Sequence, residues 1–312
     1  MSQNKYLPEG SLIGKSENNE YISSLHGLER ARQEGKILEG VVALCDCDTY
    51  TMHIDLGGVD GVIEKTEALF GEEIKDIAII TRVGKPVAFK VLQIIKEEGK
   101  RPRAILSRKE AQRECVNNYL LDLIAGDIIP AKITHLEPFG AFVDIGCGVV
   151  SLMSIDSISI SRIPSPGERF KVRDEIMVVV KSIDYDNARI CVSTRELLGT
   201  WEENASKFTT GQTVFGIVRS VESYGVFVEL APNLAGLAEL KEGVKAGQGC
   251  AVYIKSIIPE KMKIKLVIID FYDTPTPKKS LEYFIDTKTV THIDYWKYSP
   301  DASNRLIETI FE

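Results

Sequence analysis

The chain has 312 residues, 44% hydrophobic and 27% charged, which excludes a disordered polypeptide and sets a prior of two or three globular domains. Its net charge of −7 excludes a non-specific binder of duplex DNA, which presents a broad basic surface, but not single strands held by aromatic stacking and a few local cations. The longest apolar runs, such as Met177–Val180, are too short for a membrane span, and Met1–Gly10 lacks the basic-then-apolar order of a secretory signal. The protein is therefore expected in the cytoplasm.

In chain order, Gly10-Ser-Leu-Ile-Gly14-Lys15-Ser16 imitates a phosphate loop. Only three residues separate its glycines where four are needed, and no apolar strand precedes it, so nucleotide binding is not expected. Residues 18–34 read as a polar helix that leads into the first β-rich segment.

A pattern then recurs three times, which decides the fold class. Its centres are Tyr50-Thr-Met-His-Ile-Asp-Leu-Gly57, Phe139-Gly-Ala-Phe-Val-Asp-Ile-Gly146 and Tyr224-Gly-Val-Phe-Val-Glu-Leu-Ala231. Each has an aromatic residue, a ring three positions on, and an apolar–acidic–apolar triplet. A strand-like run precedes each: Gly40-Val-Val-Ala-Leu44, Ala131-Lys-Ile-Thr-His-Leu136 and Gly216-Ile-Val-Arg-Ser-Val221. Two more come after each, ending in Arg103-Ala-Ile-Leu-Ser107, Arg189-Ile-Cys-Val-Ser193 and Lys263-Ile-Lys-Leu-Val267. About five short strands per unit with Gly-rich turns describe a small closed barrel.

The first two units exit through capping-box patterns, Ser107-Arg-Lys-Glu110 and Ser193-Thr-Arg-Glu196. Ala111, Cys115, Tyr119 and Leu123 then form an apolar helical stripe, while Leu197, Leu198, Trp201 and Ala205 suggest a shorter helix. Val267 replaces the capping Ser in the third unit, so no linker helix is expected there, and that unit has a shortened loop between its third and fourth strands. The expected organisation is an N-terminal extension with a helix (1–35), barrel one (36–108), a helical linker (109–124), barrel two (125–195), a second helical linker (196–208), a shortened barrel three (209–270) and an aromatic α/β tail (271–312). Ser299-Pro-Asp301 reads as the start of a last short helix carrying Leu306, Ile307 and Ile310.

The run Pro138-Phe-Gly-Ala-Phe-Val-Asp-Ile-Gly146, with Ile183-Asp184 and Arg189-Ile-Cys-Val-Ser193 behind it, resembles the repeat of the ribosomal small-subunit protein S-one family. The resemblance covers roughly residues 36–270 and is clearest in the second unit. It implies all-β modules with helical linkers, three tandem five-stranded OB-fold barrels, and binding of single-stranded RNA. The small ribosomal subunit and mRNA would be the partners.

That family's binding face holds two rings, a His, an Asp and a strand-opening cation. Carried over by position, the second unit supplies Phe139, Phe142, Asp184 and Arg189, with Ser154 where the His is expected. The first unit keeps Tyr50 and Arg103, with His53 in place of the second ring. The third keeps Tyr224, Phe227 and Lys263, with Glu239 at the His position. Residues three apart on a regular strand face opposite ways, so a bulge at Gly140-Ala141 is expected to bring Phe139 and Phe142 together. Alternation about Ile133 is expected to turn Lys132 and Thr134 toward the same face.

Six scattered cysteines make neither a disulfide scaffold nor a zinc site, so no metal or cofactor is expected. His26, His53, His135 and His292 fall in unrelated segments without a nucleophile partner, so no catalysis is expected. The main rival to RNA binding is a protein-interaction scaffold with degenerate repeats and an aromatic tail that docks a partner. A weaker one is an accessory subunit in RNA processing.

Overall fold

The computed structural model describes residues 5–71, 75–185, 189–273 and 281–311. Two helices, α1 (Ser16–Ile22) and α2 (Leu25–Glu34), stand where one was expected. Ser24 makes the break by accepting a hydrogen bond from the Gly27 amide (3.0 Å) as the cap of α2. Gly35, at φ 63°, ends that helix.

Barrel one closes β1 (Leu38–Cys45), β2 (Met52–Leu56), β3 (Val59–Ile63), β4 (Pro86–Ile95) and β5 (Arg103–Ser107) in the order β1-β2-β3-β5-β4. Strand alternation turns Val42, Ile54, Leu56, Phe89 and Leu106 into its core. A short helix, α3 (Asp76–Ile80), lies between β3 and β4. Ser107 then caps α4 (Arg108–Asn118), accepting from the Glu110 amide (2.9 Å), and α4 buries Ala111, Cys115 and Val116.

Barrel two closes β6 (Ile128–Glu137), β7 (Gly140–Asp144), β8 (Val150–Ser154), β9 (Glu175–Asp184) and β10 (Arg189–Ser193) in the order β10-β8-β7-β6-β9. The capping box expected at Ser193 does not form. Its hydroxyl donates to the Ser157 carbonyl (2.9 Å) and meets the Glu196 carboxylate. A 3-10 turn (Arg195–Leu198) and Gly199, at φ 80°, precede α5 (Trp201–Ala205), which has its own capping box from Thr200 and Glu203.

Barrel three closes β11 (Thr213–Glu222), β12 (Gly225–Ala231), β13 (Leu234–Ala238), β14 (Gly249–Ile258) and β15 (Lys263–Tyr272) in the order β11-β12-β13-β15-β14. Its connection between the third and fourth strands, residues 239–248, is shorter than residues 155–174 in barrel two, and the barrel still closes. Strand β15 runs through Val267 to Tyr272 without turning into a helix.

The helix expected after Ser299 is replaced by a hairpin of β16 (Tyr295–Lys297) and β17 (Glu308–Ile310). Trp296 and Tyr298 join Trp201 in the core of barrel three. The Tyr298 hydroxyl donates to the Asn233 carbonyl (2.6 Å), while the Asn233 side chain accepts from the Ile160 amide (2.9 Å) and donates to the Arg195 (2.8 Å) and Gly199 (2.9 Å) carbonyls. These tail rings pack on their own chain.

Two compact units emerge. One comprises Met1–Leu123, Pro130–Lys132 and Asp144–Val150; the other comprises Ile124–Ile129, Ile133–Val143 and Ser151–Glu312. In the first, the Gly10 and Leu12 amides donate to the Glu39 carboxylate (2.9 Å each). The phosphate-loop lookalike thus cradles an internal carboxyl group. Among the described residues no helix is long and apolar enough to cross a membrane.

Candidate nucleic-acid interface

Phe139 and Phe142 do meet, with ring centroids 6.1 Å apart and planes at 88°. Phe139 is 56% exposed and Phe142 half-buried. The reason differs from the expected bulge at Gly140-Ala141. Phe139 lies in the β6–β7 turn, before β7 begins, so strand alternation does not govern where it points. Gly140 serves close approach instead: a Cβ there would lie 2.5 Å from the Met153 carbonyl oxygen.

Barrel three repeats the arrangement with Tyr224 and Phe227, 6.1 Å apart at 89°, and Tyr224 is 67% exposed. A Cβ on Gly225 would lie 2.6 Å from the Ala238 oxygen. The bulge sits on the first strand of the barrel. Register shifts between Val42 and Leu44 in β1, and between Val218 and Ser220 in β11. The residue after the shift then pairs directly with the position of the second ring, Leu44 with His53 and Ser220 with Phe227. In barrel two the residue at that position is His135, whose ring lies 6.3 Å from that of Phe142 at 33°. The sequence pattern does not mark His135; only the first-strand alignment of the three barrels could have.

Arg189 and Asp184 are cross-strand partners on β10 and β9, both exposed. Ser154 bonds Ser157, oxygen to oxygen at 2.9 Å. Thr134 donates to the Phe142 carbonyl (3.0 Å). Lys132 is half-buried, and its Nζ donates to the Glu9 carbonyl (3.2 Å).

Barrel one carries its retained residues differently. Tyr50, at φ 54°, packs on the core under Lys65, whose Nζ lies 5.3 Å from the ring centroid. The nearby Asp76 carboxylate pushes its phenol pKa up. His53 (3.2 Å) and Arg103 (3.7 Å) both turn to Asp60. In barrel three Lys263 is exposed at the start of β15, and Glu239, 84% exposed, has the Lys255 ammonium 3.9 Å away. The acid at the expected His position therefore has a cation beside it.

The profile of the S1 RNA binding domain matches residues 122–195. The match takes in every strand of barrel two, from β6 to β10. The resemblance carried by Pro138–Gly146 is thereby borne out. Beyond the S1 domain, the chain is similar to the small ribosomal subunit protein bS1 homolog of Bacillus subtilis, 28% identical over 80% of this chain and 68% of that one. It is similar to bS1 of Pseudomonas aeruginosa, 28% identical over 78% of this chain and 45% of the relative. With bS1 of Staphylococcus aureus it shares 33% identity over 54% of this chain and 43% of the relative. The matches thus take in less than half the length of the last two. The S1 match falls on the barrel that holds both phenylalanines, Asp184 and the strand-opening Arg189.

Proposed function

We propose that this protein binds single-stranded RNA and contacts mRNA at the small ribosomal subunit during translation, in the cytoplasm and without catalysing a reaction. The exposed Phe139–Phe142 pair on an S1 domain carries the proposal. Its partner residues are Arg189 and Asp184, and the similarity to bS1 supports the ribosomal setting. Each base stacked on a ring contributes ~1–3 kcal/mol, whereas association costs an estimated ~4–15 kcal/mol. One platform alone therefore binds weakly. Tyr224, Phe227 and Lys263 on barrel three form the second site of this proposal, and Tyr50 and Arg103, engaged with Lys65 and Asp60, contribute least.

The test is an anisotropy titration of the full chain with a labelled unstructured RNA at two salt concentrations. Phe142→Ala should weaken binding by about 5- to 100-fold, the loss of one stack, and by more than Phe227→Ala or His53→Ala. Arg189→Ala should also flatten the salt dependence, because a phosphate contact releases a counterion. A Phe142→Ala protein that melts like the parent and binds RNA like the parent would show that the platform is not the site. No RNA binding by the parent at either salt would leave the scaffold reading, which the internal contacts of Tyr50 and His53 favour for barrel one.

A further inference from the structure

We infer that His135 is a third base-stacking residue of the barrel-two site, which therefore holds one more base than the two phenylalanines alone. The inference rests on the RNA-binding reading and extends it to a residue outside the aromatic pair.

In barrels one and three the first-strand bulge pairs one residue with the second-ring position, Leu44 with His53 and Ser220 with Phe227; in barrel two the residue at the matching place in the sequence is His135, and its ring lies 6.3 Å from that of Phe142. Of these three neighbours only His135 brings an aromatic ring. Its plane is tilted 33° from that of Phe142, whereas Phe139 stands edge-on at 88°. The imidazole and the Phe142 ring thus turn their faces in similar directions. The His135 side chain is 62% exposed, so its face is open to a base. Its Nε2 lies 2.6 Å from a Glu137 carboxylate oxygen two residues along the same strand. That contact fixes the ring orientation from the edge and leaves the faces clear, which lowers the entropy lost when a base stacks. Across β7, Ser154 occupies the position where an imidazole was expected, and its hydroxyl is turned to Ser157. The S1 domain thus draws its imidazole from the first strand, not the third.

The bland role for His135 is a surface ion pair with Glu137, and substitution separates the two. The full chain is titrated with a labelled unstructured oligouridylate at two salt concentrations, with a melting curve for each variant. His135→Ala should weaken binding about 5- to 20-fold, the weaker range of a base–aromatic stack, with the salt slope unchanged. His135→Phe, which restores a ring but no Glu137 contact, should recover binding to within about twofold, since stacking needs only a π-face. Parental binding by His135→Ala, with Phe142→Ala clearly weakened, would overturn the inference and leave the two-ring site standing. A His135→Phe variant as weak as His135→Ala, with a shallower salt slope in both, would overturn it too, by assigning the imidazole to phosphate. If Phe142→Ala also binds like the parent, the RNA-binding reading itself falls.

Discussion

Glu9 is buried between two guanidinium groups, with Arg108 Nε at 2.7 Å and Arg82 Nη1 at 2.8 Å, and its own amide donates to Asp144 (2.7 Å). Burial works against its charge, but the two arginines more than offset it and hold the carboxyl below its ordinary pKa. Glu39 and Asp144 are less well supplied. Burial, followed by backbone hydrogen bonds that partly oppose it and by the Glu9 charge, leaves Glu39 at about 7; burial and then Glu9 leave Asp144 at about 7 as well. A carboxyl whose pKa rises on folding binds its proton more tightly in the folded state. Its stabilising share is therefore complete below the unfolded value, 4.5 for Glu39, and is lost as pH climbs through about 7. Protection of the β1 amides in hydrogen exchange should accordingly be greater at pH ~5 than at pH ~8, in terms of opening free energy. Glu39→Gln should flatten that difference; a variant keeping the full pH dependence would show that Glu39 is not its source. None of this was legible in the sequence. Asp55 and Asp144 hold the same place in apolar–acidic–apolar triplets, yet Asp55 is exposed beside Arg101 and Asp144 is buried. The triplet fixes a strand and its alternation, whereas burial of its outward residue depends on which distant segment covers it.

The same triplet position in β12 is Glu229, which organises a different contact. Its carboxylate accepts from Arg219 (2.7 Å and 3.2 Å) and from Arg169 (2.7 Å), which lies just after a 3-10 turn (Pro166–Glu168) in the long barrel-two connection. All three side chains are nearly sealed from solvent. Removing the acid takes the carboxylate from buried Arg169 and leaves Arg219 with Glu168 alone (3.0 Å), so Glu229→Gln should destabilise this unit by about 3–5 kcal/mol. Both tryptophans, Trp201 and Trp296, are buried in that unit, so denaturant unfolding followed by tryptophan fluorescence measures the loss. An unchanged midpoint would mean that the arginines find other partners. At this scale the three barrels were legible, because alternation and Gly-rich turns act locally. What was not legible depended on tertiary partners. Ser193 gives its hydroxyl to Ser157 instead of a helix amide, and Ser299 accepts from the Ile307 amide (2.7 Å), so a hairpin returns where a helix was expected. The first-strand bulge also has no marker: Val42-Ala-Leu44 and Val218-Arg-Ser220 contain neither glycine nor proline. The ring pair was legible by position, but its geometric cause was not.

Across the whole chain, a net charge of −7 makes long-range attraction to RNA unfavourable, so affinity has to come from local cations and from more than one platform. Each phosphate neutralised on a single strand steepens the salt dependence by about 0.7 in log–log slope. Arg189 and Lys263 are exposed at the openings of β10 and β15, while Arg103, exposed at the opening of β5, turns to Asp60 (3.7 Å); with the first two on phosphates, the slope for the full chain should be shallow, near −1 to −2. The two ring pairs, Phe139–Phe142 and Tyr224–Phe227, share one chain, so a strand held by one meets the other at an effective concentration set by the RNA between them. Affinity should therefore rise in a step, about 10- to 100-fold, once an unstructured RNA is long enough to reach both. Below that length Phe227→Ala should bind much like the parent; above it, the variant should lose the step and keep the short-RNA affinity. Phe142→Ala should weaken binding at every length. The measurement is a series of uridylates of increasing length titrated against parent and both variants at fixed salt. If affinity grows only in proportion to the number of binding registers along the RNA, and Phe227→Ala tracks the parent throughout, the second platform takes no part. Barrel two would then bind RNA alone.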